Sequence, residues 1–386
     1  MALSAQASKR AVGLDIVRSV AILWVLVSHC TGIFSEWSGA RPPMVLSVSG
    51  FFGVELFFVL SGFLIGRLLL NIIDHQPNFH AWLVFMQRRW MRTLPLYFLW
   101  LGLLAVIWRP HSWEPGRTFL WKDLPWFATL TQNLAWPMVD GWFPVSWSLT
   151  VEEWFYLLFS AFLVGGAILV RPRVAFWITT SAFLLLPPVL RWQVPTDANW
   201  DTVTSQVVLL RLDAIAFGVA ASWMTVKRVW LIRYPLVLLA AGLSLIGSLW
   251  AGIPQEVMFR FGTQTERTFI FDLTSLGFAL CMPAAAQLKH ARRWIAVPAQ
   301  AISAQSYAMY VMHLSLLEIV GFYRNAFNLA TPACILLAIA AIWGLSWVSY
   351  HWLEAPLLAL RPAQSPRPAT VRLPGREPAR EMTSAH

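Results

Sequence analysis

The stretch Leu14-Asp15-Ile16-Val17-Arg18-Ser19-Val20-Ala21-Ile22-Leu23-Trp24-Val25-Leu26-Val27-Ser28-His29 decides how this chain is read. With its apolar flanks it has the roughly 20-residue length that a helix needs to cross a bilayer. It nevertheless carries Asp15, Arg18 and His29, and an ionisable group inside a membrane is costly and therefore a functional candidate. Arg18 and His29 stand eleven positions apart. At 3.6 residues per turn that is about three turns, so both lie on one helix face, about 16 Å apart along the axis. Asp15 is one turn before Arg18 and can pair with it. Lys9 and Arg10 precede the run as they would in a secretory signal. The lack of a convincing cleavage site and the buried charges favour a retained helix.

The rest of the 386 residues has the same character. Hydrophobic residues make up 58% and charged residues 12%, with a mean hydropathy of +0.58. Ordinary soluble domains run near 45–50% and about 25%. So few charges cannot cover a soluble surface around so much apolar volume, and disorder requires the opposite composition. Lipid is the solvent for most of this chain. Ten apolar runs stand out, at about 14–34, 51–72, 93–109, 146–170, 174–190, 203–224, 232–252, 267–287, 303–323 and 332–352. The expected fold is all-α, a polytopic membrane protein with about ten transmembrane helices. Its divisions are a segment 1–12, a membrane domain 13–360, and a tail 361–386 whose Pro and Arg content predicts disorder.

The net charge of +10 would suggest nucleic acid in a soluble protein. Here the positive-inside rule accounts for it, and no nucleic-acid partner is expected. With the N-terminus inside and the runs alternating, eighteen of the 29 basic residues fall on inner segments and eight on outer ones. That split places both termini in the cytoplasm. Arg191 and Arg267 fall among the outer charges. The three cysteines form no CxxC pair, so neither a zinc site nor a disulfide framework is expected.

Polar residues recur within or beside the other runs. The second holds Phe57-Phe58-Val59-Leu60-Ser61-Gly62-Phe63, where the small pair permits close helix approach. Arg88-Arg89-Trp90-Met91-Arg92 precedes the third; guanidinium forks match phosphate geometry, so this is a candidate polyanion clamp as well as an orientation signal. The fourth opens with Trp147-Ser148-Leu149-Thr150-Val151-Glu152-Glu153. Adjacent helical residues diverge by about 100°, so at most one of the two carboxylates can face a given site. The sixth carries Arg211 and Asp213, and the ninth Ser306, Tyr307, Tyr310 and His313.

Taken in order, these elements resemble the acyltransferase 3 family of membrane acyltransferases. The matches are Arg18 with His29, Phe57 to Phe63, Arg88 to Pro95, Gln132-Asn133, Trp147 to Tyr156, Arg211-x-Asp213 before Gly218, Ser306-Tyr307 with Tyr310 and His313, and Glu354-x-Pro356. Each is weak alone; the ordered set from about 13 to 357 is specific. Glu55 stands where the family more often has Asp. The resemblance implies ten helices in a bacterial inner membrane. It also implies transfer of an acyl group, commonly acetyl from acetyl-CoA, to a hydroxyl of a sugar or glycan. Some relatives carry an extra outward-facing hydrolase-like domain, which the short tail is expected not to supply. Acyl-CoA enters as a donor substrate, and no tightly bound cofactor or metal is expected.

Under that resemblance His29 is the expected general base, because an imidazole titrates near neutral pH. Glu152 is expected to orient it. Arg18, Arg88, Arg89 and Arg92 are expected to hold the donor's phosphates. Asp15, Ser61, Asn133, Ser148, Glu153, Arg211, Asp213, Ser306, Tyr307, Tyr310 and His313 are expected to complete the polar site. The alternative is a secondary transporter or flippase for a glycan or small solute, since intramembrane Arg, Asp, Glu and His also mark proton relays. The inverted repeats and matched broken helices common in such proteins are not evident.

Overall fold

The computed structural model describes residues 11–40, 43–108, 122–138, 143–252, 263–326 and 328–362. The expected segment 1–12 lies largely outside these residues, as do most of the tail 361–386 and the charges Arg41, Arg109, Arg117 and Arg260. Among the described residues are ten main helices: α1 Val12–Ser38, α2 Ser49–His75, α3 Phe79–Trp108, α4 Ser146–Leu169, α5 Pro172–Trp192, α6 Leu212–Val226, α7 Pro235–Gly252, α8 Gln264–Gln287, α9 Arg293–Ala326 and α10 Thr331–Ser349. Among the described residues there is no strand. Local chemistry explains several starts. Pro172 and Pro332 stand in the first turns of α5 and α10, where a missing N–H costs nothing. Thr263 and Glu266 form a reciprocal capping box on α8.

Among the described residues, eight helices, all but α6 and α9, are long and apolar enough to cross a membrane. The sequence-predicted sixth run, 203–224, is corrected. Its first part is a π-helical turn, Trp200–Ser205, then a 3₁₀ turn, Val208–Leu210. The helix proper begins at Leu212 and has 15 residues, about 22 Å against a core of about 30 Å. Helix α9 has 34 residues, but Gln300, Ser303, Gln305, Ser306 and Tyr307 dilute its apolar content. Helix α3 begins well before the expected 93, so Arg88, Arg89 and Arg92 lie on a helix rather than on a connection leading into one.

Helix α2 is central, packed by α1, α4, α6 and α8. Glycine makes its contact with α6 possible. A Cβ on Gly62 would lie 1.9 Å from the Ile215 carbonyl oxygen, and one on Gly218 would lie 2.0 Å from that of Val59. The two backbones therefore touch, as small residues allow in membrane interfaces. Phe52, Phe63, Ile65 and Val59 are fully buried around this seam. Val106, Ile178, Leu185, Leu236 and Leu336 face outward and exposed. Apolar groups are outside and polar groups inside, as expected where the surroundings are lipid.

Candidate functional site

Among the described residues, two adjoining cavities share part of their lining. The wider, about 440 Å³, is lined by Asp15, Arg18, Arg67, Arg89, Arg92, Lys289 and His290 among others. The narrower, about 90 Å³, is lined by Arg18, Ser61, Arg89, Arg92, Ser148, Glu152, Ser306, Tyr307 and Tyr310 with a ring of apolar side chains. Arg18, Leu64, Arg89 and Arg92 line both, so the cavities meet at three guanidinium groups. The wide cavity includes Ala11 at the start of α1 and Lys289 just past the end of α8. It is thus the end of the bundle that the basic-residue count assigns to the cytoplasm.

The elements explain this convergence. Arg18 is in the second turn of α1, and Arg89 and Arg92 share a face of α3 at an i, i+3 spacing. Glu152 enters from α4, against Ser61 and within electrostatic reach of Arg92, Arg18 and Arg89. Hydroxyls fix the walls. Ser61 Oγ and Tyr156 Oη are 2.5 Å apart, and Ser148 Oγ and Tyr310 Oη are 2.6 Å apart. Tyr307 donates to the Thr93 carbonyl at 2.5 Å, and Ser306 to that of Ser303 at 2.9 Å.

His29 and His313 lie just beyond this chamber. The ring of Tyr310, which lines it, is 5.7 Å from that of His313. His313 Nε2 is 3.2 Å from His29 Nδ1. His313 Nδ1 is 2.7 Å from the Tyr310 carbonyl oxygen and 3.2 Å from that of Met309. A carbonyl oxygen only accepts, so this Nδ1 carries the proton and, in the neutral ring, Nε2 presents a lone pair. His29 Nδ1–H can then donate to His313 Nε2 and to the Val25 carbonyl at 3.0 Å. The lone pair of His29 is left on Nε2. The Val25 carbonyl and His313 together set the His29 tautomer, while Glu152, expected from sequence to orient this ring, lies against Ser61 within reach of the three arginines.

Several expected site residues lie elsewhere. Arg88 donates to the Pro362 carbonyl and lines neither cavity. Glu153 accepts from Thr93 Oγ1 at 2.6 Å, away from its neighbour Glu152. Asp15 accepts from Ser303 Oγ at 2.8 Å and lines only the wide cavity. Asn133 donates to the carbonyls of Trp147 and Gln206, tying the 130s segment to α4 and to the residues before α6.

Arg211 and Asp213 belong to a separate buried charge cluster. Arg211 pairs with Glu55, which also accepts from Ser275 Oγ at 2.9 Å. Arg191 pairs with Asp213 at 2.7 Å and Asp272 at 2.6 Å, and donates to the carbonyls of Thr268 and Leu210. Both guanidiniums lie over the Phe271 ring, at 4.0 and 5.0 Å. Arg191, read from sequence as an outer orientation charge, is 1% exposed and joins α5, α6 and α8. Arg67, Lys289 and His290 were not assigned to the site by sequence. A basic residue inside an apolar run was the available signal for Arg67; the other two were indistinguishable from orientation charges.

A family model described as an acyltransferase domain matches residues 12–351. A Bacillus subtilis protein provisionally named a peptidoglycan O-acetyltransferase, YrhL, is 28% identical over 188 residues, 46% of this chain and 27% of that protein. The peptidoglycan O-acetyltransferase OatA of Listeria monocytogenes is 29% identical over 162 residues, 39% of this chain and 24% of its own length. A Staphylococcus aureus protein provisionally named an O-acetyltransferase is 26% identical over 183 residues, 42% of this chain and 26% of that protein. These matches therefore span about a quarter of each relative. No solved structure matches the chain. The family match covers most of the helical bundle, including the histidine pair and both cavities, and the chain belongs to the acyltransferase 3 family.

Proposed function

We propose that this protein is a multi-pass O-acyltransferase of a bacterial inner membrane. In this reading ten helices cross with both termini in the cytoplasm, α6 being completed by the irregular turns before it. The protein moves an acyl group, acetyl by preference, from acyl-CoA to a hydroxyl of a sugar or cell-surface glycan such as peptidoglycan. The observation that carries the reading is the graded path. A wide basic mouth narrows past Arg18, Arg89 and Arg92 into a small chamber that ends at Tyr310 and Ser148, beside the histidine pair. A polyanion with a long thin arm ending in a thioester has the complementary shape.

The chemistry then assigns roles. The arginines hold the phosphates through charge-assisted hydrogen bonds. The acceptor hydroxyl gives its proton to His29 Nε2 as its oxygen bonds to the thioester carbonyl carbon. The Ser148–Tyr310 hydroxyl pair, one O–H of which bridges the two oxygens, supplies its other O–H to the developing oxyanion. Collapse breaks the carbon–sulfur bond, and the CoA thiolate leaves and takes up a proton. The imidazolium is stabilised by His29 Nδ1–H donating to His313 and to the Val25 carbonyl.

Membranes containing the protein, supplied with label in the acyl group of acetyl-CoA, should yield a labelled ester on glycan. Movement of an unmodified solute without ester formation would instead support the transporter reading. Arg92→Ala should raise the KM for acetyl-CoA about 10- to 150-fold, the equivalent of roughly 1.5–3 kcal/mol for a hydrogen bond to a charged group. Arg92→Lys should recover only part, because it lacks the planar fork. An unchanged KM in a folded Arg92→Ala protein would remove Arg92 from donor binding. For the topology, a reporter active only outside the cytoplasm and fused after His386 should stay silent. A strong signal there would require an odd number of spans.

A further inference from the structure

We propose that the outer part of the wide cavity, formed by Arg67, Lys289 and His290, is a phosphomonoester subsite. It reads the 3′-phosphate of the donor's adenosine and so selects full CoA thioesters over shorter phosphopantetheine-type donors. The inference rests on the acyl-CoA reading and divides its binding site in two.

The division follows from the order of groups along the donor and along the path. From its reactive end the donor runs thioester, pantetheine arm, pyrophosphate, then adenosine with its 3′-phosphate. From its inner end the path runs from the 90 Å³ chamber to a junction formed by Arg18, Arg89 and Arg92, then to the 440 Å³ cavity. The chamber cannot hold a nucleotide, so only the arm and thioester enter it. The pyrophosphate then falls at the junction, whose arginines line both cavities. The adenosine end remains in the wide cavity, whose size lies in the range of small-ligand sites. Arg67, Lys289 and His290 line that cavity and not the chamber.

Charge agrees with the geometry. Among the described residues, Arg18, Arg67, Arg89, Arg92 and Lys289 bring five fixed positive charges to the wide cavity, against one lining carboxylate, Asp15. Glu152, inside the chamber, lies within reach of the three junction arginines and offsets part of their charge. Asp15 is held by Ser303. Among the described residues the outer positive charge is thus the less compensated, and the five charges together exceed what the two pyrophosphate charges require. A phosphomonoester adds about −1.5 to −2 at pH 7. Arg67 projects from the last third of α2, whereas Lys289 and His290 follow α8, so the subsite is built by two elements far apart in sequence.

The test compares acetyl-CoA with acetyl-dephospho-CoA, which lacks only the 3′-phosphate, in wild type and in an Arg67→Ala/Lys289→Ala double variant. Wild type should favour acetyl-CoA about 10-fold or more in kcat/KM, expressed in KM. In the variant this ratio should fall towards one, because KM for acetyl-CoA rises far more than KM for the dephospho donor. The dephospho donor thereby reports on folding and on the rest of the site. Equal use of both donors by wild type, or an undiminished ratio in the variant, overturns the subsite and leaves the acyltransferase reading standing. Failure of wild type to turn over either donor overturns the acyl-CoA reading and the subsite with it.

Discussion

His29→Ala is expected to lower kcat at least 100-fold while the KM for acetyl-CoA changes little. A positioned general base contributes about 10²- to 10⁴-fold, and the phosphate contacts proposed for the donor lie elsewhere, at Arg18, about three turns from His29 along the same helix, and at Arg89 and Arg92 beside it in the cavity lining. The geometry sharpens the expectation. His29 Nδ1 is engaged with Val25 and His313, so only Nε2 is available to take the hydroxyl proton. Replacing His313 by Gln keeps an amide group near Nδ1 of His29 but removes an imidazole from the pair. It should lower kcat less than His29→Ala does and alter its pH profile. If purified, folded His29→Ala protein keeps more than about a tenth of wild-type kcat, His29 is not the base, and His313 becomes the next residue to replace.

The second large effect concerns stability. Arg211→Ala should destabilise the bundle by about 3–5 kcal/mol, because removing one partner of a buried ion pair leaves an uncompensated charge. Glu55, fully buried on the central helix, would keep only Ser275, and Asp213 would lose a nearby cation. The cation–π contact with Phe271 would go as well. Neutralising the pair together, as Glu55→Gln with Arg211→Met, should cost much less than the single change, since Glu55 is then no longer left as a buried charge without its guanidinium. Thermal unfolding of the three proteins in one detergent checks this. An Arg211→Ala protein with the melting temperature of wild type, or a double variant no better than the single one, would show that the cluster does not hold α2, α5, α6 and α8 together.

These two residues show what kind of information each level carries. Arg18 and His29 share one helix, so their common face and spacing follow from 3.6 residues per turn, before any packing is known. The same local rule separates Glu152 from Glu153, and the two carboxylates do meet different partners. Arg211 and Asp213 were equally visible as costly charges in an apolar run. Their partners Glu55, Arg191 and Asp272 lie on other helices, however, and no local period connects them. The ordered motifs thus identified the family while leaving open which polar residues form one cluster.

Composition alone determined that the chain lives in lipid, because 58% hydrophobic and 12% charged residues permit no soluble surface. Helical periodicity determined that Arg18 and His29 lie on one face of one helix. Tertiary packing decided the rest. It brought His313 to His29 across 284 positions of sequence. It also turned Arg191 from an apparent outer charge into a buried tie, and divided the cavity at Arg18, Arg89 and Arg92. The physical reason is that a membrane helix sets the direction of its own side chains, whereas the groups they meet depend on which other helices pack against it. Small residues such as Gly62 and Gly218, by letting two backbones touch, set that packing.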